Sequence, residues 1–288
     1  MTAIPATDAR STFPWARSIP PLRDDLLERY LAVLGVDARP PSHDALAELQ
    51  LAHLLAIPFE TISPMLGEAV PLAEEPVIEK LLCGHRGGYC FEHNLTFARA
   101  LRALGYDAEV LAGRVLFGAE LARPRPRTHA AVRVRVDGGV WLADVGFGRQ
   151  AFRGPIDLGR TDAQLVAGFW FRIGELDGEI LVETGSGDGT VFTPQTLLDP
   201  RPALEIDLEQ LNLWVHTDLR SIVRGQLIAL RPLPVGRRSI RQGRLVIDEP
   251  GRTVDRELTL TEVGAVLREE FGLELPAPLP GLVHPGAG

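Results

Sequence analysis

A pair of glycines directly before a helical pattern is the most constraining feature of the sequence. Gly87 and Gly88 stand in the stretch Arg86 to Asn94, and the helical pattern begins near Cys90 and ends at Gly105. Glycine permits backbone turns that bulkier residues resist, and Gly105 stands where helices commonly end in glycine. The pattern therefore predicts a turn that places Cys90 in the first turn of a helix.

This position makes Cys90 a candidate nucleophile. Backbone N–H groups at the start of a helix have no helical acceptors, and the helix dipole favours negative charge there. Both effects favour a thiolate over a thiol. The alternative interpretation is a small buried apolar side chain, which is the more common role of a cysteine.

Composition limits the classes of protein that remain. The 288 residues suffice for one large or two to three small domains, and the hydrophobic fraction of 45% allows a core without disulfides. The net charge of −8 argues against a nucleic-acid partner. The N-terminus has no apolar signal segment, and no run of apolar residues is long enough to span a membrane. We therefore expect a protein of the cytoplasm that binds neither membrane nor nucleic acid.

Hydrophobic periodicity divides the chain into three units. After a proline-rich arm over 1–21, residues 1–105 carry four helical patterns, which predict a helical unit. Residues 106–205 alternate between apolar and polar positions, which predicts a small β-barrel or sandwich. Residues 206–288 combine a helix-like connector, short strands, a capped helix and a proline-rich tail, which predicts a mixed α/β unit.

A predicted hairpin in the second unit supplies partners for a thiolate, which needs a base and a group that orients the base. His129 begins the first strand and Asp144 lies near the end of the second. A two-residue turn at Gly138-Gly139 would leave His129 roughly 13 Å along the strand from the residue opposite Asp144. A three-residue turn would send His129 to the other face. Either register requires a bulge or an end-of-strand bend near His129.

A zinc site is an alternative interpretation of the opening stretch. The four candidate ligands fall within eleven residues with the spacing C-x-H-x4-C-x2-H: Cys83, His85, Cys90 and His93. This spacing is not a common zinc-finger pattern. A chain with an ample core does not need a metal to fold, so we predict no metal here.

Several other polar residues receive structural interpretations. We predict His53 at the edge of the core and His216 in solvent. Glu60 and Arg86 form either a buried ion pair that fixes the glycine turn or two solvated charges. Lys80 is the only lysine among 30 basic residues, and we interpret it as a compositional habit rather than a site.

Taken together, these residues resemble the arylamine N-acetyltransferase family. The resemblance rests on Arg86-Gly87-Gly88-Tyr89-Cys90-Phe91-Glu92, on His129, and on Asp144-Val145-Gly146-Phe147-Gly148. Three flanking matches support it: Ile57-Pro58-Phe59-Glu60, Leu66-Gly67, and Leu267-Arg268-Glu269-Glu270-Phe271-Gly272. The resemblance spans nearly the whole chain in the same order. It implies an α+β multidomain fold with a cysteine-protease-like catalytic core: a helical bundle over 1–105, a β-barrel over 106–205, and a connector, α/β lid and tail over 206–288.

The resemblance also implies a catalytic triad of Cys90, His129 and Asp144, whose side chains meet in that family. It implies structural positions for Glu60 and Arg86. It further implies that three residues line the acyl and acceptor pocket: Thr128, Gly146 and Phe147.

The activity implied by the resemblance is acetyl transfer from acetyl-CoA to the nitrogen of an arylamine or arylhydrazine. Acetyl-CoA would be a co-substrate, with no cofactor permanently bound.

The sequence departs from the family's pattern in two places. Residues 212–221 lack the proline and phenylalanine of the family's Ser-Thr-x-Pro-x-Ser-x-Phe-like run, and His93 stands where the family often has Gln.

Three alternatives stay open. The first is an amide synthase of the same fold, which would take a polyketide thioester from a carrier protein and release it as a macrolactam. The second is a thiol hydrolase. The third is a binding protein with a relic triad, against which the intact Cys90, His129 and Asp144 argue.

Overall fold

The computed structural model describes residues 19–118, 123–148 and 152–283, so the predicted arm over 1–21 lies almost entirely outside the described residues. The first part of the described chain consists of helices and one short strand: α1 (Asp24–Leu34), α2 (His43–Ala56), β1 (Phe59–Glu60), α3 (Ile62–Leu66), α4 (Glu74–Cys83) and α5 (Cys90–Ala103). The four predicted helices are confirmed, with α3 in addition. The predicted N-cap of α2 is also confirmed, because Ser42 Oγ accepts a hydrogen bond from the backbone of Ala45.

Helix α5 begins at Cys90, as the glycine pattern predicts. Tyr89 is the N-cap residue, and its backbone N–H donates to Glu92 Oε2 at 3.1 Å. Gly105 follows the end of the helix with a φ of 90°. All residues from Cys90 to Leu101 are buried, so α5 runs through the middle of the core, and the charged and amide side chains on it need partners inside the protein.

Eight strands form one antiparallel, barrel-like sheet in the order β5-β4-β3-β2-β9-β8-β7-β6. The strands are β2 (Asp107–Val115), β3 (His129–Val136), β4 (Gly139–Ala143), β5 (Ile156–Asp157), β6 (Gln164–Val166), β7 (Phe169–Leu176), β8 (Glu179–Gly185) and β9 (Phe192–Leu198). The outer strands β5 and β6 are bridged by a side chain: Gln164 accepts from Asp157 N at 3.0 Å and donates to Asp157 O at 2.9 Å. The predicted barrel is thus present as a nearly closed sheet.

The two faces of β3 contribute to two different cores. Ala130, Val132 and Val134 belong to the core that contains α5, whereas Ala131 belongs to the core inside the barrel. Because side chains alternate along a strand, His129 lies on the same face as Ala131. The barrel therefore packs against α5 through one face and directs His129 toward its own interior.

The β3–β4 hairpin turns at Asp137-Gly138, so both predicted registers are wrong. Val136 pairs with Gly139, and the φ angles of Asp137 and Gly138 are 52° and 73°. Two positive φ angles define the type I′ turn that Asp-Gly favours. If this register is continued by one residue, Asp144 lies opposite Ala131, on the same face as His129. Ala131 and His129 are two residues apart, which is roughly 7 Å along the strand. The predicted bulge or bend is therefore not required.

The last part of the described chain holds a second sheet and short helices: α6 (Glu205–Thr217), α7 (Ile222–Gly225), β10 (Ala229–Pro232), β11 (Arg237–Arg241), β12 (Arg244–Glu249), β13 (Arg252–Glu257), α8 (Val263–Val266) and a π-helical turn (Leu267–Phe271). The mixed α/β character is as predicted. Strand β13 was not predicted, because it is a largely exposed edge strand without an apolar face. The predicted capped helix is divided into α8 and the π-helical turn.

Strand β1 connects the first and last parts of the chain. Phe59 pairs with Leu230 and Glu60 with Ala229, so the second sheet has the order β1-β10-β11-β12-β13. Ile62 and Met65 accordingly belong to the core of this second sheet. The unit boundaries at 105 and 205 stay a prediction. None of the helices in the described ranges is long and apolar enough to cross a membrane.

The turn that sets this register offers a stability test. An added Cβ at Gly138 would meet no atom within 4 Å, so Gly138→Ala should lose stability only through its left-handed backbone, by about 1 kcal/mol. Gly187 is the matched control, since it also has open space around it but no positive φ. Chemical denaturation should show Gly187→Ala unchanged or more stable by up to about 1 kcal/mol. Equal effects at the two sites would contradict the assigned turn.

Candidate active site

The thiol of Cys90 is buried where the start of α5 meets the barrel. Its Sγ lies 3.4 Å from the carbonyl oxygen of Thr128, and the side chain of Cys90 is only slightly exposed. Thr128 directly precedes β3, and its backbone N–H donates to Gly113 O at 2.9 Å. The barrel thus holds a backbone carbonyl against the sulfur.

His129 connects the thiol to a carboxylate. Its Nε2 lies 2.6 Å from Asp144 Oδ2, and its ring also hydrogen-bonds the Cys90 thiol. Because Nε2 is occupied by Asp144, Nδ1 is the nitrogen that faces the sulfur. Burial alone would lower the pKa of His129, but the charge and hydrogen bond of Asp144, together with Cys90, raise this pKa to about 10. The imidazole is therefore held in its protonated form at neutral pH.

Asp144 is fixed by three hydrogen bonds. Besides the bond from His129 to Oδ2, Oδ1 accepts from Asn94 Nδ2 and from the backbone N–H of Gly146, both at 2.9 Å. The carboxylate is almost completely buried. A buried charge is tolerated when it is paired and hydrogen-bonded, so these donors hold both the charge and the orientation of Asp144.

Asn94 is a site residue that the sequence analysis missed. It follows Cys90 by one helical turn, so the two side chains lie on the same face of α5. Its amide donates to Ala130 O at 2.6 Å as well as to Asp144, and its carbonyl oxygen accepts from Val145 N at 3.0 Å. One side chain thus ties the cysteine helix to the β3 backbone and to the loop that carries Asp144. The available signal was a polar residue four positions after Cys90 in a buried helix.

Gly146 and Phe147 complete the cluster. A Cβ at Gly146 would lie 2.7 Å from Cys90 Cα, so only glycine lets this loop approach the helix so closely. Phe147 is half-buried and packs edge-to-face on His129, with 5.2 Å between ring centroids, and on Phe152 at 5.6 Å. All six residues predicted for the site lie in this one region, whereas their roles in catalysis and substrate binding stay predictions.

A network of buried charges lies behind the glycine turn. Glu60 is fully buried and accepts from Arg86 Nε at 2.9 Å, so the interpretation as a buried ion pair is correct and that as two solvated charges is wrong. Lys80 Nζ donates to Glu92 Oε1 at 2.7 Å and lies 3.8 Å from Glu60 Oε1. Lys80 therefore has a structural role that its scarcity in the sequence did not indicate, because its ammonium neutralises buried carboxylates.

The two glycines of the turn are required for close approach rather than for a left-handed backbone. Neither Gly87 nor Gly88 has a positive φ. A Cβ at Gly87 would lie 1.9 Å from Pro58 O, and one at Gly88 would lie 2.8 Å from Glu92 Oε2. Any larger residue would thus displace the segment that leads into Cys90.

The remaining histidines differ from prediction. His53 is fully buried rather than at the core edge: its Nδ1 accepts from Tyr30 Oη at 2.6 Å and its Nε2 lies 2.7 Å from His93 Nδ1. His216, predicted in solvent, is only 7% exposed because α6 turns this face inward. Its Nδ1 donates to Asn212 O at 2.7 Å.

The four residues of the zinc interpretation do not form one site. Cys83 is exposed and contacts Arg29, whereas Cys90 is buried beside His129. Within the described ranges no group of three or more His, Cys, Asp or Glu side chains is placed to hold a metal ion.

Buried histidines with opposite shifts predict a stability maximum near pH 6.5. Burial lowers the pKa of His93 from 6.5 to about 4. As the pH falls from 6.5 towards 4, His93 is protonated in the unfolded chain but stays neutral in the folded protein. The free energy of unfolding therefore falls by up to about 3 kcal/mol. The pKa of His129 is raised to about 10, so stability is lost again as the pH rises from 6.5 towards 10.

Denaturation curves measured across this range check the prediction. His93→Gln removes one titrating group, so the free energy of unfolding should fall less steeply between about pH 6.5 and pH 5. In this range the carboxylates contribute least to the pH dependence. Stability that rises as the pH falls through this window would contradict it.

Comparisons with known proteins show the family of the chain. An N-acetyltransferase family model matches residues 42–279. The arylamine N-acetyltransferase of Escherichia coli (strain K12) is 32% identical over 234 residues, which cover 80% of this chain and 82% of that protein. The arylamine N-acetyltransferase of Mycolicibacterium smegmatis is 34% identical over 254 residues, which cover 85% of this chain and 91% of that protein.

Solved structures show the same fold. The arylamine N-acetyltransferase of Salmonella typhimurium superimposes with a TM-score of 0.80 at 30% identity, over 88% of this chain and 92% of that one. The Mycobacterium marinum enzyme, solved in complex with CoA, superimposes with a TM-score of 0.79 at 29% identity, over 86% of this chain and 92% of that one. The chain is therefore an acyltransferase that belongs to the arylamine N-acetyltransferase family.

Proposed function

We propose that this protein transfers an acetyl group from acetyl-CoA to the nitrogen of an arylamine or arylhydrazine through an acetyl-cysteine intermediate. Cys90 is the nucleophile, His129 the proton carrier and Asp144 the group that orients His129. The observation that carries the proposal is the contact of a buried thiol with an imidazole whose other nitrogen is bound to a carboxylate. This is the arrangement of nucleophile, base and orienting acid that acyl transfer requires, as in cysteine proteases.

In the first half-reaction, the Cys90 thiolate attacks the thioester carbon of acetyl-CoA. The tetrahedral intermediate then expels the CoA sulfur, which takes the proton from His129. The high pKa of His129 favours this starting state, a thiolate beside an imidazolium. Backbone N–H groups in the first turn of α5, including that of Phe91, have no helical acceptors. They are the candidate donors to the oxyanion, and the loss of such a donor costs roughly 3–4 kcal/mol.

In the second half-reaction, the amine nitrogen attacks the acetyl carbon on Cys90. The C–S bond breaks, the sulfur leaves as thiolate, and neutral His129 takes the proton that the nitrogen releases. The amine must outcompete water, so the site has to be partly dry. The burial of Cys90, His129 and Asp144 supports this requirement.

Aromatic acceptors fit the neighbourhood of the sulfur. Phe147 is half-buried beside His129, and Phe152 packs behind it. Aromatic rings favour offset or edge-to-face contacts with one another, so Phe147 is the candidate contact for the acceptor ring. Thr128 and Gly146 would contribute backbone atoms next to the reacting sulfur.

The donor is inferred from the family. The Mycobacterium marinum relative was solved with CoA, which supports acetyl-CoA as co-substrate here. The region that departs from the family's pattern, 212–221, forms the end of α6 and the turn after it. We expect differences in acyl and acceptor preference to arise from this region.

A CoA-release assay tests the proposal. Mixing the protein with acetyl-CoA should release free CoA over many turnovers only when an aminobenzoate or a hydrazine is present. Cys90→Ala should abolish release while circular dichroism and the melting temperature stay close to wild type, since no other described thiol contacts His129. No release with any acceptor would overturn the proposal.

Two other outcomes of the same assay would replace it. Sustained release of CoA without an acceptor would indicate a thiol hydrolase. Turnover of a carrier-bound polyketide thioester, with none of acetyl-CoA, would indicate an amide synthase.

Asn94 should act as a positioning residue for Asp144. Asn94→Leu removes the donor to Asp144 with little change in volume, and it should lower kcat/KM by about tenfold to a hundredfold through misplacement of the acid and base. Thr96→Val is the matched control on the same helix, because the Thr96 hydroxyl is buried and without a hydrogen-bond partner among the described residues. Steady-state kinetics should show Thr96→Val at wild-type activity. Full activity in Asn94→Leu would refute the positioning role.

A further inference from the structure

We propose that His93 and Glu92 clamp the peptide bond between Gly88 and Tyr89 from its two sides and so fix the position of the Cys90 thiol. We call this set the peptide clamp; it consists of Tyr30, His53, His93, Lys80 and Glu92. The inference rests on the proposed function, in which Cys90 is the nucleophile. It assigns positioning roles to residues that touch neither His129 nor Asp144.

The carbonyl side of the peptide is held by His93. Gly88 O accepts from His93 Nε2 at 3.0 Å and from the backbone N–H of Glu60 at 2.7 Å. The same Nε2 lies 3.3 Å from Pro58 O. His93 therefore joins the glycine turn to the segment that runs beside it.

The proton positions in this half of the clamp are determined by its partners. His93 Nε2 faces two carbonyl oxygens, so it carries the proton and Nδ1 is left as an acceptor. His53 Nε2 then donates to His93 Nδ1 at 2.7 Å, and Tyr30 Oη donates to His53 Nδ1 at 2.6 Å. Burial lowers the pKa of His93 to about 4, which keeps it in the neutral form that this chain of donors needs.

The N–H side of the peptide is held by Glu92. Tyr89 N donates to Glu92 Oε2 at 3.1 Å, and Lys80 Nζ donates to Glu92 Oε1 at 2.7 Å. Glu92 is buried, and a buried carboxylate without a cation would be costly. Lys80, the only lysine of the chain, supplies that cation.

The two halves act on one rigid unit. In a trans peptide the C=O and N–H groups lie in one plane and point in opposite directions, so rotation of this peptide breaks both contacts at once. Glycine is the residue most free to rotate, and Gly88 stands one residue before the N-cap of α5. Without the clamp, only backbone hydrogen bonds to β1 and Pro58 would hold Gly88, and Cys90 would follow a more flexible joint. A misplacement of about 1 Å at a reacting group can cost a hundredfold in rate.

Two substitutions at His93 separate positioning from mere packing. His93→Leu removes both the donor and the acceptor, whereas His93→Gln keeps an amide that can donate to Gly88 O and accept from His53. The first readout is the single-turnover rate of Cys90 acetylation by acetyl-CoA. The second is the rate of Cys90 alkylation by iodoacetamide, resolved by peptide mass mapping. Cys83 is exposed and serves as an internal control in every sample.

We expect His93→Leu to slow both reactions of Cys90 by about tenfold or more, with the KM for acetyl-CoA changed by less than about twofold. His93→Gln should restore both rates to within about threefold of wild type. The alkylation rate of Cys83 should not change. Tyr30→Phe is the substitute variant if His93→Leu does not fold. It removes only the terminal donor of the chain, and it should slow both reactions of Cys90 by a smaller factor.

Leu46→Ala is the control for lost stability, because Leu46 is fully buried in α2 and has no polar group. It should lower the melting temperature without changing Cys90 reactivity in the folded protein. Wild-type Cys90 reactivity in folded His93→Leu would overturn the clamp. If His93→Leu does not fold, wild-type reactivity in Tyr30→Phe would overturn it instead. Equal losses in His93→Gln and His93→Leu would also overturn it. Failure of wild-type acetylation would instead overturn the proposed function, and the alkylation ratios would still decide on the clamp.

Discussion

The buried carboxylate of Asp144 is the constraint around which the site is built. Its three donors come from a strand, a helix and the loop that follows Asp144 itself: His129, Asn94 and Gly146. A carboxylate in this position is stable only if all three segments meet there. Packing α5 against one face of β3 brings them together. The Cys90 thiol and the imidazole meet at the edge of this interface, where α5 and β3 both begin. The architecture of the barrel and the chemistry of the site are thus set by one interface.

Much of this arrangement could be predicted from the sequence. The start of α5 at Cys90 was predictable, because the glycines and the apolar spacing are local signals. The hairpin was predictable, but its register was not, since Asp137-Gly138 and Gly138-Gly139 are both plausible turns. Only the paired strands show that Asp-Gly forms the turn. That shift of the turn by one residue moves Asp144 from opposite Arg133 to opposite Ala131. It shortens the separation from His129 along the strand from roughly 13 Å to roughly 7 Å, so no bulge is needed.

The missed residues are polar groups whose partners are distant in the chain. Asn94 bonds to residues 36 and 50 positions away, and local periodicity carries no information on such pairs. The role of Lys80 was missed and His53 was misplaced for the same reason, because their contacts are with carboxylates and rings that other segments of the chain supply. Strand β13 was missed because an exposed edge strand lacks an apolar alternation. The sequence therefore predicts the helices, the strands and the candidate reactive residues well. The polar residues that hold the reactive groups in place are found only from the structure.

The central claim is that Cys90 carries the acetyl group between donor and acceptor. Intact-protein mass spectrometry after brief exposure to acetyl-CoA alone, followed by peptide mapping, tests it most directly. We predict a single acetyl group per chain, on Cys90, that disappears when an arylamine is added and reappears on the amine. An unmodified protein, or an acetyl group that resides on Lys80 or Cys83 and persists with the amine present, would contradict the account.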